Sequence, residues 1–255
     1  MQIRPVYSWP LIASLLSAMA GPSMADEGWA GTLGAGAIYA PDYLGSNDYE
    51  TRVWPAISLS YGDRFYLNSL DGLGWNAFRQ GNWLVSPFIG YTPGRDNDHD
   101  LSHLDKVDGG ATAGLRVAYT NDSWTYSGDA QTPFTGDMDG YQLSLKARWQ
   151  GQLSKHWSAS IGPSLKYSSA DWTEDMFGVS SRESARSGLA AYNPDDGYFS
   201  IALGSTLSYH LTPDWSVTAM ASIAQLTGDA KDSPLVDSVG DKNQAYAGAF
   251  VSYRF

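Results

Sequence analysis

The last fourteen residues, 242–255, read KNQAYAGAFVSYRF and restrict the fold more than any other stretch. Counted in twos from the end, Phe255, Tyr253, Val251, Ala249, Ala247 and Ala245 form an apolar face. Arg254, Ser252, Phe250, Gly248, Tyr246 and Gln244 form a mixed one. A period of two puts alternate side chains on opposite sides of a strand. Ends of globular domains fray and face water. An apolar strand at this place suits a barrel closed in lipid, whose last strand pairs with its first. A terminal aromatic with Tyr two places before it also resembles the end of bacterial outer-membrane barrels, which their insertion machinery reads. The competing reading is an edge strand of a soluble sandwich.

The same alternation recurs upstream, over residues 29–39, 52–61, 83–91, 111–119, 199–209 and 215–223, with a weaker run over 124–130. It is clearest in the hairpin 141–167, where Tyr141, Leu143, Leu145, Ala147 and Trp149 oppose Gln142, Ser144, Lys146, Arg148 and Gln150. Pro55 is awkward within its run, because proline donates nothing to a ladder. Residues 64–78 divide at Asp71-Gly72 into two short strands. Both termini must lie on the short-turn side, so the strand count is even. The division gives an all-β, antiparallel transmembrane β-barrel of twelve strands, with ten as the alternative if a weak strand is lost.

Connections alternate between short turns and long polar loops, the long ones being 41–50, 92–110, 132–139, 170–197 and 227–241. Short periplasmic turns and long extracellular loops are what outer-membrane barrels show. Rings cluster at the short turns: Tyr61 and Phe65, Phe78 and Trp83, Tyr119 and Trp124, Trp149 and Trp157, Tyr209 and Trp215, with Trp29 and Phe255 at the two termini. Amphipathic rings at one level form an interfacial girdle, and the sequence predicts one on the periplasmic side.

Residues 1–25 read as a secretory signal peptide: Arg4 is the basic head, 11–20 the apolar stretch and Ser23-Met24-Ala25 the cleavage site. That apolar stretch is too short for a spanning helix, which needs about 20 residues. The mature barrel is then 26–255. The chain has no Cys, which removes disulfides and thiolate metal sites. Its net charge of −11 argues against nucleic acid as a partner, since phosphate binding needs a basic face.

Several stretches resemble the MipA/OmpV family of outer-membrane proteins: GAGAIYAPDYLGSNDY (34–49), SYGDRFYLNSLDGLGWN (60–76), GYTPGRDNDHDLSHLDKVDGGATAG (90–114), MFGVSSRESARSGLAAYNPDDG (176–197) and LTGDAKDSPLV (226–236), with Tyr253-Arg254-Phe255 at the end. The resemblance implies a scaffold that joins a murein-degrading lytic transglycosylase to a penicillin-binding murein synthase in peptidoglycan remodelling. Other members of the family are regarded as porins, adhesins or antigens. It carries over no interaction residues.

The polar constellations give no catalytic site and no cofactor. Asp96, Asp98 and Asp100 have the spacing that opens a calcium loop, but Leu101 stands where Gly is required and Val107 where the bidentate Glu belongs. The competing readings are a solvated loop, loose divalent binding at the lipopolysaccharide surface, and a rim hydrolase built on His99 or His103. His156 and His210 fall at periplasmic turns. In 170–197, Ser180-x-x-Glu183 is a capping box and Gly188 a stop, which predicts a helix over 181–187. That loop either plugs the lumen or packs on itself at the surface. Arg116, Lys146, Arg148 and Lys166 fall on inward positions; facing lipid, each would cost about 2–4 kcal/mol near the midplane. They either favour anions in a narrow pore or pair with carboxylates such as Asp129 and fill the lumen.

Overall fold

The computed structural model describes residues 28–255, and the expected signal peptide lies outside them. The chain runs as an antiparallel meander: β1 (Trp29–Pro41), β2 (Tyr49–Tyr61), β3 (Phe65–Asn68), β4 (Gly72–Trp75), β5 (Phe78–Gln80), β6 (Trp83–Thr92), β7 (Gly110–Asn121), β8 (Trp124–Pro133), β9 (Gln142–Gln152), β10 (Trp157–Ser168), β11 (Tyr198–His210), β12 (Trp215–Leu226) and β13 (Asn243–Arg254). β4 and β5 share β6 as partner and form one interrupted stave, so the barrel has twelve. β13 pairs with β1 from Thr32↔Arg254 to Tyr39↔Ala247, and Leu73↔Ile89 with Gly74↔Phe88 closes the remaining seam. No helix among the described residues is long and apolar enough to cross a membrane. The crossing is made by strands, whose backbone groups pair with their neighbours around the ring.

The prolines fall where the ladder is already interrupted. Ile57 accepts from the Ser69 amide at 2.9 Å, so its backbone groups, and those of Pro55 two residues away, face the β3 side. β3 pairs with β2 only from Ser58 to Tyr61, so no strand stands beside Pro55 and its missing N–H removes no ladder bond. Pro87 stands at the break between β4 and β5. Pro163 lies where paired positions between β9 and β10 lapse while the register continues.

The short β3–β4 hairpin follows from its turn chemistry. Asn68 Oδ1 accepts from the amides of Leu70 and Asp71 at 3.0 and 2.6 Å, and Gly72 adopts a φ of 79°. An Asx turn followed by a left-handed residue reverses the chain at once. The hairpin tip therefore stops part-way up the wall, with Asp71 buried.

Outward strand positions are mostly apolar and exposed, inward ones polar, small or packed against the loops, as in β12, where Val217, Ala219, Ala221 and Ile223 alternate with Thr218, Met220, Ser222 and Ala224. Rings pack in pairs at the short-turn end: Trp29 with Tyr61 at 5.3 Å, Trp83 with Tyr119 at 5.0 Å, Trp157 with Tyr209 at 4.9 Å and Trp215 with Tyr253 at 5.1 Å. Trp124 and Trp149 face each other in register. These contacts join neighbouring strands rather than the two arms of one turn: Trp149 faces Ile161, not Trp157, and Phe78 faces Val85, not Trp83. A second set of rings stands at the other end, Tyr39 stacked on Tyr49 and Tyr167 against Tyr141 and Phe199. Trp157 and Tyr167 on β10 are roughly ten residues apart, which at about 3.3 Å each and a tilt near 40° spans about 25 Å, the height of a membrane barrel's apolar band.

Candidate functional site: a plugged, charged lumen

The long loops fold inward. Residues 170–197 form α1 (Ala170–Phe177) and α2 (Ser181–Ser187), and the last loop forms α3 (Gly228–Asp232) and α4 (Pro234–Asp237). Trp172, Met176 and Phe177 of α1 are buried in one cluster with Ala230, Val236 and the inward strand residues Ile38, Ala202, Met220, Tyr246 and Phe250. The upper lumen is thus filled by an apolar plug. A second cluster above it joins Tyr43, Leu101, Leu104, Val179 and Leu235 from four different loop segments.

α2 covers the predicted 181–187. Ser180 accepts from the Glu183 amide, Glu183 accepts from the Ser180 amide at 2.8 Å, and Gly188 closes the helix at φ 79°. The sequence did not reveal α1, whose N-cap Ser169 makes no side-chain cap bond. Its signal was an apolar set, Trp172, Met176 and Phe177, spaced for one helix face. Arg95 ties the layers together: it donates to the carbonyls of Met176 at 2.8 Å and Gly178 at 3.4 Å and lies 3.8 Å from Glu183. A cation suits the carbonyl end of α1. Burial pushes the Glu183 carboxyl up, but hydrogen bonds from Ser180 and the Asp105 amide, with the Arg95 charge, hold it below the usual range.

The lower lumen is polar. Arg116 Nε donates to Asp129 Oδ1 at 2.6 Å and its Nη2 to Asp71 Oδ1 at 2.9 Å; Lys146 Nζ lies 3.1 Å from Asp129 Oδ2. Ser144 donates to the same carboxylate at 3.1 Å. Arg116 also stands over the Phe88 ring at 5.5 Å. Arg148 lines the same space, whereas Lys166 lies two residues beyond Ser164 along the same face. Asp71 was legible only as a turn residue; its part in the cluster depends on how far the β3–β4 hairpin rises.

The loop constellation does not gather into a metal site. Asp96 lies 3.6 Å from Lys106, Asp98 precedes a 3-10 turn over His99–Leu101, and among the described residues no group of three His, Asp or Glu is placed to hold a metal. His99 Nδ1 is 2.8 Å from Asp42 Oδ2 on the exposed rim, and that hydrogen bond raises its pKa. His210 Nε2 is 3.0 Å from Ser158 Oγ at a periplasmic turn. An open cleft of ≈ 640 Å³ on the outer cap is lined by Asp105, Asp137, Glu174, Asp175 and Arg95, among others.

Residues 33–255 match the family described as MltA-interacting protein MipA. The MltA-interacting protein of Escherichia coli (strain K12) is 30% identical over 232 residues, covering 88% of this chain and 90% of that protein. The outer membrane protein OmpV of Vibrio cholerae is 26% identical over 236 residues, covering 89% and 86%. Among solved structures, the NanC porin aligns at a TM-score of 0.46 and 10% identity over 88% of this chain and 100% of that one. A closed barrel with lipid-facing apolar strands, matched along nearly its whole length to outer-membrane relatives, resides in the outer membrane, and the chain belongs to the MipA/OmpV family.

Proposed function

We propose that this barrel is a non-enzymatic, membrane-held scaffold that docks a murein lytic transglycosylase, together with a penicillin-binding murein synthase, at its periplasmic rim. The observation that carries this reading is the apolar plug: a lumen filled by Trp172, Met176 and Phe177 offers a membrane anchor rather than a route for solutes. The relative named MltA-interacting protein supplies the kind of partner.

Stable interfaces bury roughly 1,200–2,000 Å² in total, so a partner must cover several adjoining turns. The two longest periplasmic turns, 153–156 and 211–214, suit this, since the His210 amide donates to the His156 carbonyl at 2.8 Å and joins them into one ledge. Lipid and lipopolysaccharide surround the barrel, and the insertion machinery reads its terminal Phe255.

Co-purification from envelope extracts in mild detergent tests the role. A lytic transglycosylase should accompany the barrel, and Lys155→Glu combined with Asp214→Lys on the ledge should reduce its recovery. Transglycosylase missing from the purified barrel would overturn the scaffold. A second reading, a small anion-preferring channel, is favoured by the cations of the lower lumen. It requires the plug to withdraw, and steady conductance of the intact barrel in planar bilayers would establish it.

A further inference from the structure

The wall of the barrel is notched in its outer half. β3 and β4 hold β2 and β6 three strand spacings apart, about 14 Å, but their hairpin ends between Asn68 and Gly72. Above that tip, β2 from Tyr49 to Ala56 has a strand only on its β1 side, and β6 from Gly90 to Thr92 only on its β7 side. Trp54 and Leu70, behind the notch, pack against the apolar cluster of the plug. The loop after β6 reaches the β1–β2 loop, where His99 Nδ1 is 2.8 Å from Asp42 Oδ2. Val53 on the open edge is 77% exposed, so no loop covers it.

An open sheet edge facing hydrocarbon leaves its polar groups unmet. On this edge the deeper donors are already dealt with. The Ile57 amide donates to Ser69 Oγ at 2.9 Å, and Pro55 has no amide. The N–H and C=O of Val53 and Thr51 point the same way, and among the described residues nothing takes their amides. Thr51 is paired with Tyr39 of the outer ring level, and Val53 lies two residues, about 5 Å, below it. Girdle rings mark the headgroup level, so both amides lie where acyl chains join their headgroup. At the foot of the notch a cavity of ≈ 20 Å³, lined by Ala56, Ile57, Ser69 and Leu70 among others, has room for a chain end. We infer that the notch seats one acyl chain of an outer-leaflet lipopolysaccharide, whose carbonyl accepts from the Val53 or Thr51 amide. The hydroxyacyl groups and amide linkages of this lipid also donate to the free carbonyls of the edge, which the plain ester chains of a phospholipid cannot do.

Native mass spectrometry of the full barrel, equilibrated with equal amounts of lipopolysaccharide and phosphatidylethanolamine and then washed in mild detergent, tests this. One lipopolysaccharide should stay on each barrel while the phospholipid washes away. Leu70→Trp, which fills the foot of the notch, should lower retention about tenfold. Ala221→Trp, on the unbroken wall at β12, should leave it unchanged. Should Leu70→Trp fail to fold, as judged by loss of its heat-modifiable gel band, Val53→Pro carries the same comparison by deleting one free amide. Phospholipid retained as well as lipopolysaccharide, loss of both on washing, or unchanged retention in the notch variant overturns the inference. None of these results depends on whether a transglycosylase co-purifies.

Discussion

At the scale of single residues, Asp129 is the hinge of the lower lumen. Its two oxygens serve Arg116 and Lys146, and Ser144 adds a third contact. Removing one partner of a buried pair leaves an uncompensated charge, at a typical cost of about 3–5 kcal/mol. Asp129→Ala should therefore lower the urea midpoint of the folded barrel by a corresponding amount, whereas Asp63→Ala at an exposed periplasmic turn should not. The sequence named Asp129 and the four cations because period-two alternation fixes which side of a strand a residue takes. It left Asp71 out, because Asp71 sits in a turn and a turn has no such parity. Pro55 shows the converse: its place in a strand is legible, but its tolerance rests on the low β3–β4 hairpin beside it.

At the scale of elements, α1 decides whether the barrel is sealed. Trp172 is buried to 2% exposure against inward strand residues, and its truncation should cost about 3–5 kcal/mol locally. Trp172→Ala should convert a silent barrel into one with intermittent conductance in planar bilayers. The cap above is pH-sensitive through Glu183, whose folded-state pKa is depressed. A depressed carboxyl contributes stability that is present above its unfolded value, about 4.3, and is lost as pH falls through the folded value. Acidification into that window should raise the frequency of open events, and Glu183→Gln should abolish this dependence while opening the cap at neutral pH. α2 was legible because a capping box and a C-terminal Gly are local chemistry. α1 was not, because its N-cap Ser169 makes no side-chain cap bond and tertiary burial of one face stabilises it.

At the scale of the whole molecule, two levels of rings bracket an apolar band of membrane height. Trp29, Trp83, Trp124, Trp157 and Trp215 are exposed on the lipid side while Trp172 is buried in the plug. Single-tryptophan variants retaining one of the first five should be strongly quenched by lipids brominated near the headgroup, and the variant retaining only Trp172 should be quenched weakly. Equal quenching of all six would contradict the placement of the girdle. Tyr61 faces Phe65 across its turn, while the pairs Trp29–Tyr61, Trp83–Tyr119, Trp157–Tyr209 and Trp215–Tyr253 join strands connected by the long loops.

By itself the sequence determined the alternation, the short-turn and long-loop asymmetry and the ring-bearing turns, because each depends on residues within a few positions of one another. From these the strands and the closure of β1 on β13 followed. Tertiary structure alone decided that the long loops fold into the lumen and that the carboxylates gather on Arg116. Both depend on side chains brought together from distant loops and strands, and no local period records which of them will meet.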